Sequence, residues 1–385
     1  MQELCREGRE LGLKGSALRR AVGQVDSHLA PPERGSLLAS VGRRWKIKVH
    51  TSLSPTLPTH LIASTPPKNK IILGTRGSEL ALTQTEMVTR LLLEQHPHLT
   101  VERKIIQTAG DKRPDLRFVD FGSGPDAAPD KGIFIKELEI ALEAGEIDAA
   151  VHSLKDVPSD LASPFTLTAF LERAAVEDVL VTREPHNLDS LPKGARVGTS
   201  SVRRARQLQW LRPDIEIVEI RGNVPTRVKK VLGADGLDAV MLAAAGLLRL
   251  GLLNAALSRI HIDGQTVHAW VLEADQFLPA AGQGAIAIET RATDDATKQI
   301  IRTLNHADTE IRVTAEREFL CAMKAGCQTP VGARTWVTGG DLHMAVRLFS
   351  EENPKAAPLE LQHTESIHHP KALGAELARR IQSQA

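Results

Sequence analysis

Three arginines stand in the first turn of a helix that the segment GTSSVRRARQ predicts. They are Arg203, Arg204 and Arg206. Ser200 or Ser201 is the expected cap of this helix, because a serine side chain can accept a hydrogen bond from the free N–H groups there. A helix N-terminus is its positive end, where cations are disfavoured and anions bind. We therefore predict that an anion lies at this turn, held by backbone N–H groups, a hydroxyl and guanidinium groups together.

Cationic and hydroxyl side chains also follow the other predicted strands. Ligands of open α/β sheets bind beyond the carboxyl ends of the strands, and the planar guanidinium fork suits a carboxylate or a phosphate. Neither G-x-x-x-x-G-K-[ST] nor G-x-G-x-x-G follows a strand, so carboxylates are the favoured ligands. A solvated surface charge is the alternative for each arginine alone. The residues at these five strand ends are Thr75, Arg76 and Ser78; His152, Ser153, Lys155 and Asp156; Thr199 to Arg204; Arg221, Asn223 and Arg227; and Arg249.

Asp156 is the single carboxylate in this predicted set of cations. Cations around a carboxylate keep it ionised. An ionised Asp156 could stabilise a cation that forms on a substrate, or it could relay protons. A salt bridge to a neighbouring arginine is the alternative, and the residues alone leave both open.

The chain has three cysteines, Cys5, Cys321 and Cys327. An odd number without C-x-x-C spacing favours neither a disulfide framework nor a zinc site, and it suits a reducing intracellular compartment. Cys327 lies in KAGCQTPVG, where small residues and a proline predict a tight exposed loop; a buried, inert thiol is the alternative. Cys321 follows Phe319 on a predicted helix, and we expect it in the core.

The elements that must position these residues begin at Lys70, where short apolar strands start to alternate with helices. Such alternation predicts parallel sheets with helices on their faces. Ser78 is the predicted cap of the first helix. The residues at helical spacing on that helix are Leu80, Gln84, Met87 and Leu91.

The pattern changes after Gly284. Two helices are predicted near 293–304 and 308–323, followed by a hairpin that turns at Gly339-Gly340. A terminal amphipathic helix completes this part of the chain. The combination indicates a small α+β domain.

Composition limits the classes of function. A length of 385 residues allows two or three domains at ~100–200 residues each. The formal net charge of +1 gives no global basic field, and 3% aromatic residues offer few platforms for stacking bases, so we predict no nucleic-acid partner. No apolar run approaches the ~18 residues of a membrane span, so we predict a soluble chain with no membrane partner.

Residues 1–69 differ from the rest of the sequence. Their second half lacks acidic residues and is rich in Pro, Ser and Thr, as transit peptides are, but the first half contains several acids. We interpret the segment as a disordered extension, with a targeting signal as the alternative. A cytoplasmic location is favoured, and a plastid location remains the alternative.

Seven motifs occur in an order that resembles the porphobilinogen deaminase (hydroxymethylbilane synthase) family. They are HSLKDVP, GTSSVRRARQL, RGNVPTR, AAAGLLRLG, LPAAGQGAIAIE, NHADTEIRVTAER and AGCQTPVG. The resemblance implies two periplasmic-binding-protein-like α/β domains with a cleft between them and a small α+β C-terminal domain. The implied domains are 70–172 with 282–303, then 173–281, then 304–385, after the extension 1–69.

The resemblance also implies a reaction. The family joins four porphobilinogen molecules head to tail with release of ammonia, then releases hydroxymethylbilane with water. The growing chain is held on a covalent dipyrromethane cofactor, and no metal is required. By position in the motifs, Asp156 would be the catalytic carboxylate and Cys327 the thioether anchor. A monomer is expected.

Further residues are assigned by the same resemblance. Those implied to hold the cofactor are Lys131, Ser153, Lys155, Thr199, Ser200, Ser201, Arg203, Arg204 and Arg221. Those implied to hold the substrate are Arg76, Ser78, Arg227, Arg249 and Gln283.

The sequence departs from the family pattern in the long loop before Ile133, which keeps Asp111 and Lys131, and at Ala325, where glycine is usual. A protein of the same architecture that only captures a small anion is the second hypothesis. Such a protein needs the strand-end arginines but neither Asp156 nor Cys327.

Overall fold

A computed structural model describes residues 68–108, 135–161, 164–233, 236–254, 258–326, 328–353 and 356–384. Four predictions made from sequence fall outside this part of the chain: the nature of residues 1–67 of the extension, the long loop before Ile133 with Asp111, the role of Lys131, and the loop and role of Cys327. They stay predictions. Within the described residues, no helix is both long and apolar enough to cross a membrane.

The strands and helices follow each other largely as the sequence predicts. The strands are β1 (Lys70–Thr75), β2 (Thr100–Ile105), β3 (Ala149–Ser153), β4 (Phe165–Phe170), β5 (Asp178–Thr182), β6 (Arg196–Gly198), β7 (Glu216–Val218), β8 (Ala239–Ala243), β9 (Leu253–Asn254), β10 (Arg259–Ile262), β11 (Gln265–Leu272), β12 (Ile286–Arg291), β13 (Val331–Thr338), β14 (Asp341–Leu348) and β15 (Leu359–Ser366). The helices are α1 (Glu79–Gln95), α2 (Lys136–Glu143), α3 (Val202–Leu211), α4 (Val224–Leu232), α5 (Ala244–Arg249), α6 (Asp295–Arg302), α7 (Ala307–Met323) and α8 (Pro370–Gln382).

Two larger sheets are mixed, so the prediction of parallel sheets is wrong for part of each. The first has the order β2-β1-β3-β12-β4 and the second β7-β6-β8-β5-β11-β10-β9. Strands joined through helices pair in parallel, as β1 does with β2 and β3, and β6 with β7 and β8. β5 and β12 run antiparallel to their neighbours, because each enters its sheet along a direct connection from the other sheet.

Helix starts at the strand ends are capped by polar side chains. Ser78 accepts a hydrogen bond from the Ala81 N–H, and Asn223 accepts one from the Thr226 N–H at 2.9 Å. Of the two candidates for α3, Ser201 is the cap and accepts from the Arg204 N–H. These caps end each strand in a sharp turn and place the first helical turn at the strand end.

The buried stripe of α1 differs from the predicted one. Leu80, Met87 and Leu91 are only half-buried. The fully buried residues are Gln84, Thr85, Val88 and Leu92. Val88 and Leu92 pack against β1, β3 and β12 in the core of the first sheet, and each such burial contributes about 1.5–3 kcal/mol.

The third sheet, β13-β14-β15, packs against α7 and α8. Its first hairpin turns at Gly339 and Gly340, with φ of 62° and 92°, which confirms the predicted turn. The prediction that Cys321 lies in the core is wrong, because Cys321 is exposed. Phe319 is fully buried on α7, and a residue two positions later points about 200° away from it.

Two segments connect the first and second sheets, residues 171–177 and 273–285. Glu316 of α7, which is fully buried, bonds to both. Its carboxylate accepts hydrogen bonds from Arg173 at 2.8 and 2.9 Å and from the Gly282 N–H at 2.7 Å. Helix α7 therefore fixes both connections at the place where they pass each other.

Candidate active site

A pocket lies between the first and second sheets, where β3, β8, α3, α4 and α5 meet the connection 273–285. Four of its lining residues are cations: Lys155, Arg204, Arg227 and Arg249. The other lining residues are Leu80, Gln84, Ser153, Val224, Leu242, Ala243, Ala245, Gly246, Gly282, Gly284 and Ala285. The prediction that several strand ends meet at one place is confirmed for the strands that carry these four cations.

Asp178 supplies an anion at the start of α3 from within the chain. This carboxylate is fully buried at the first position of β5. It lies 2.8 Å from Arg203 Nη1 and 2.6 Å from Arg204 Nη2. Burial acts to raise the pKa of Asp178, but the two guanidinium groups outweigh it and hold that pKa well below its usual range. Two of the three arginines of the opening motif, Arg203 and Arg204, are thus buried members of an ion-pair cluster, whereas Arg206 is half-buried and donates to the Glu351 carbonyl.

Gln283 links this cluster to Lys155. The Gln283 amide donates to Asp178 Oδ1 at 3.1 Å and to the Val176 carbonyl at 2.7 Å, and its oxygen accepts from Lys155 Nζ at 3.4 Å. Lys155 is accessible from within the pocket, but the protein around it removes much of its hydration. This desolvation, followed by the charge of Arg204, lowers the pKa of Lys155 to about 8.

Arg227 and Arg249 form no ion pair with any described residue. Arg227 donates to the Gly222 carbonyl at 2.7 Å, and Arg249 donates to the Gly284 carbonyl at 2.7 Å. The Nε of Arg249 is buried and lacks a hydrogen-bond partner within the described part of the chain. Desolvation lowers the pKa of each guanidinium to about 10. Two desolvated cations without counter-ions favour an anionic ligand.

Asp156 ends a short 3₁₀ turn, Leu154–Asp156, directly after β3. It is half-buried, and no hydrogen bond or ion pair joins its carboxylate to a described residue. Its negative charge acts on Lys155 and Arg227 and partly offsets the lowering of their pKa values by desolvation and by neighbouring arginines. The prediction of a single carboxylate among the cations is wrong, because Asp178 is also present and Glu219 pairs with Arg221 at 2.6 Å.

The turn that carries Asp156 is held by residues that sequence reasoning missed. Arg317 of α7 donates to the carbonyls of Val157, Pro158 and Ser159, at 3.2, 2.7 and 3.2 Å. Gly282 packs against the other side with φ of +71°, where a Cβ would lie 2.9 Å from Leu154 Cγ. Both contacts fix the backbone around Asp156.

The remaining predicted residues take local structural positions. Ser153 exchanges hydrogen bonds with Gln84 at the pocket wall. Thr199 accepts from the Ser201 N–H at 3.2 Å. The other positions are these: Ser78 caps α1, Ser200 is half-buried, Arg76 is half-buried after β1, and His152 is buried with Glu289 at 2.9 Å.

Arg76, Asp156, Arg203 and Arg221 do not line the pocket itself. Asp178 was missed because its pairing with Arg203 and Arg204 is a tertiary contact. The signal available in the sequence was an aspartate that opens the otherwise apolar strand DVLVT. Among the described residues, no group of three or more His, Cys, Asp or Glu is arranged to hold a metal ion.

Comparison with known proteins decides the family. Residues 71–299 match the family described as "Porphobilinogen deaminase, dipyromethane cofactor binding domain", and residues 310–383 match its C-terminal domain. The chain belongs to the porphobilinogen deaminase family. The porphobilinogen deaminase of Roseiflexus sp. is 42% identical over 82% of this chain and 97% of its own length. That of Shouchella clausii is 46% identical over 68% of this chain and 78% of its own length.

Among solved structures, the BenM effector-binding domain with benzoate aligns at 16% identity and a TM-score of 0.35, over 61% of this chain and 91% of that one. A likeness of this size carries no functional argument. Porphobilinogen deaminases are transferases that make hydroxymethylbilane from porphobilinogen, and that reaction comes with membership of the family.

The described residues fit the dipyrromethane cofactor of the matched domain. A dipyrromethane made from porphobilinogen carries several carboxylates and needs a cationic wall. Arg227 and Arg249 provide desolvated guanidinium groups without a carboxylate partner in the described chain, and Arg204 and Lys155 lie beside them. The chemistry of these donors agrees with the cofactor.

Proposed function

We propose that this porphobilinogen deaminase joins its substrate units at the pocket between the two larger sheets, with Asp156, the residue after the lining residue Lys155, as the catalytic carboxylate. The observation that carries the proposal is the position of Asp156. Its carboxylate has no hydrogen-bond or ion-pair partner among the described residues, and its charge acts on the pocket cations Lys155 and Arg227, partly offsetting the lowering of their pKa values. A carboxylate that is fixed by its backbone and still free can act on a substrate.

Each porphobilinogen unit brings two carboxylates, and the cations of the pocket hold them. Arg227 and Arg249 bind substrate carboxylates, because neither has a counter-ion in the described chain. Lys155 and Arg204, which line the same pocket, hold the cofactor, and Arg203 assists them from beside Asp178, outside the lining. Further residues complete the proposed set that binds the cofactor and the substrate. They are Arg76, Ser78, Ser153, Thr199, Ser200, Ser201, Arg221, Gln283 and, outside the described residues, Lys131.

Asp156 acts where positive charge develops. Loss of ammonia from porphobilinogen leaves a cation whose charge is shared with the pyrrole nitrogen. A carboxylate already fixed nearby stabilises that cation more than the neutral ground state, and so lowers the barrier. Arg317 and Gly282 contribute by holding the turn, so that no reorganisation is needed when the charge appears.

Cys327 is the proposed covalent anchor. A thiolate is a soft nucleophile suited to trap a carbon electrophile once and keep it. The dipyrromethane group, when bound there, supplies the pyrrole carbon to which the first substrate unit is added. We further propose a cytoplasmic monomer that needs neither metal nor nucleic acid, with a plastid location as the alternative.

Intact mass under denaturing conditions tests the anchor. We expect the purified chain to exceed its sequence mass by two linked pyrrole units, and Cys327→Ala to show no excess. If neither shows an excess, porphobilinogen is added and the mass measured again. A chain that still gains nothing is a binding protein, and the proposed function is then wrong.

Steady-state turnover tests Asp156. We expect Asp156→Asn to lower kcat by about 10²–10³-fold, the usual effect of removing a preorganised charge from a transition state. The thermal midpoint should change little, because the carboxylate has no partner to lose. Asp160→Asn is the matched control, since Asp160 is an exposed aspartate in the same loop. Near-normal turnover in Asp156→Asn would contradict the assignment of Asp156 as the catalytic carboxylate.

A further inference from the structure

Helix α3 connects the candidate site to the C-terminal sheet. Its first turn carries Arg203, which pairs with Asp178. Its last turn carries Trp210, and the guanidinium of Arg347 from β14 lies over that ring at 4.8 Å. Arg347 is 6% exposed, although its carboxylate partner Glu360 is half-exposed on the neighbouring strand. The half-exposed carboxylate does not by itself account for the burial of Arg347, so its other contacts matter.

Gln207 lies between these two ends of α3 and is fully buried. Its side-chain oxygen accepts from Arg347 Nη1 at 3.1 Å and from the Leu278 N–H at 2.8 Å. Its side-chain nitrogen donates to the Leu278 carbonyl at 3.0 Å. Arg347 therefore helps to set the orientation of the Gln207 amide, and that amide fixes both backbone groups of Leu278.

The Leu278 carbonyl also accepts a hydrogen bond from Arg203. The donor is Nη1 at 2.6 Å, the same nitrogen that lies 2.8 Å from Asp178 Oδ2. One hydrogen bond, to the Leu278 carbonyl, and one ion pair, to Asp178, thus define where this guanidinium points. Moving the carbonyl of Leu278 would rotate or shift Arg203 relative to Arg204.

The C-terminal sheet holds the same stretch of backbone from its other side. Arg347 Nη1 donates to the Gln276 carbonyl at 2.7 Å, and the Ala333 N–H donates to the Pro279 carbonyl at 2.9 Å. A Cβ at Gly332 would lie 2.7 Å from Leu278 Cβ. Residues 276–279 are therefore enclosed between α3 and the sheet, with little room to move.

We propose that Arg347 is a positioning residue for Arg203, acting through Gln207 and the carbonyl of Leu278. The role in cofactor capture rests on the proposed function, in which Arg203 holds a cofactor carboxylate. The competing explanation is that Arg347 only stabilises the C-terminal sheet through Glu360 and Trp210. The proposal and the competing explanation predict different effects of substitutions at Arg347 and Glu360 on cofactor capture.

Three variants separate them. Arg347→Met keeps an aliphatic side chain and removes every donor. Arg347→Lys keeps an ammonium group that can serve the two acceptors now served by Nη1, but loses the guanidinium over Trp210. Glu360→Gln removes the ion pair in the sheet and leaves the path to Arg203 intact.

The measurement is the rate at which the full-length apo chain gains the mass of two pyrrole units from porphobilinogen. We expect loading to be about tenfold slower in Arg347→Met, since a displacement of about 1 Å in a binding group can cost up to ~10²-fold. Arg347→Lys should load within about twofold of the parent chain, and Glu360→Gln should load at the parent rate. Parent-like loading by Arg347→Met, or equal slowing in all three variants, would overturn the proposal.

An unfolding experiment distinguishes failure of this inference from failure of the proposed function. If the parent chain gains no mass, the proposed function is wrong. The link between Arg347 and Arg203 is then tested by the free energies of unfolding of Arg347→Met, Arg203→Met and the double variant. Arg347 and Arg203 have no hydrogen bond or ion pair with each other, so unlinked residues should give additive effects. Non-additive effects support the link between them, and additive effects overturn it.

Discussion

The two groups of arginines around the pocket differ in what balances their charge. At the start of α3, Arg203 and Arg204 share the buried carboxylate of Asp178. Within the described chain, Arg227 and Arg249 donate to backbone carbonyls and form no ion pair. The first group is fixed before any ligand arrives, whereas the second has charge that no described carboxylate pairs with and that a ligand can balance. The arginines of one site can therefore have different roles: Arg203 and Arg204 are buried with a carboxylate, whereas Arg227 and Arg249 are half-buried without one in the described chain.

Removing the shared carboxylate should break this difference, with the largest effect expected of any substitution here. Asp178→Ala leaves two buried guanidinium groups without a counter-ion, and a buried pair broken in this way loses about 3–5 kcal/mol. Urea unfolding measures the loss. Glu219→Ala is the matched control, because its pair with Arg221 is partly exposed and contributes about 0–1 kcal/mol. Equal losses in both variants would contradict the central position given to Asp178.

Removing an arginine that has no ion-pair partner in the described chain should not destabilise the protein, in contrast to Asp178→Ala. Arg249→Met deletes a desolvated cation, so we expect the thermal midpoint of the ligand-free chain to hold or rise. The KM for porphobilinogen should rise about tenfold, which is about 1.4 kcal/mol, with kcat nearly unchanged, because the contact is made equally in ground and transition states.

Arg183→Met is the control for that substitution. Arg183 also donates to backbone carbonyls, those of Val231 and Gly233, but it does not line the pocket. Its replacement should leave KM at the parent value. A lowered midpoint and an unchanged KM in Arg249→Met would place Arg249 with the structural group.

The smallest effect concerns pH and Lys155, which lies between the two groups. Its pKa of about 8 lies below the ordinary 10.5, so the folded chain binds fewer protons here than the unfolded chain between these values. This group therefore adds stability as pH rises from about 8 to 10.5. An anionic ligand should raise the pKa of Lys155, so binding takes up a proton and weakens as pH rises through about 8.

Calorimetry of porphobilinogen addition in buffers of different ionisation enthalpy measures that proton uptake. We use Asp156→Asn as the background, so that turnover does not obscure binding. Uptake near pH 8.5 should disappear when Lys155→Met is added. Unchanged uptake would assign the proton to another group.

Sequence reasoning succeeded where local chemistry decides the structure. The cap at Ser201 and the turn at Gly339-Gly340 follow from backbone requirements within a few residues. It failed where the deciding contact is distant. The antiparallel strands β5 and β12 depend on which sheet the chain enters, and the exposure of Cys321 depends on which face of α7 meets the third sheet.

The same division holds for the site. Strand-end position identified Lys155, Arg204, Arg227 and Arg249 as neighbours: the last three follow β6, β7 and β8, whose carboxyl ends meet at one edge of the second sheet, and Lys155 follows β3 of the first sheet. It could not identify Asp178 as the partner of Arg203 and Arg204, because that contact joins separate strands of the second sheet. It could not identify the link from Arg347 to Arg203 either, because Arg347 belongs to the third sheet.

The place of β12 also bears on how the chain acquires its structure during synthesis. β12 lies between β3 and β4, so β4 has no strand partner in the first sheet until residues 286–291 have been made. Every strand of the second sheet precedes β12 in the chain. The second sheet can therefore form while the first is still open, and a nascent chain that stops before β12 exposes two strand edges that invite aggregation.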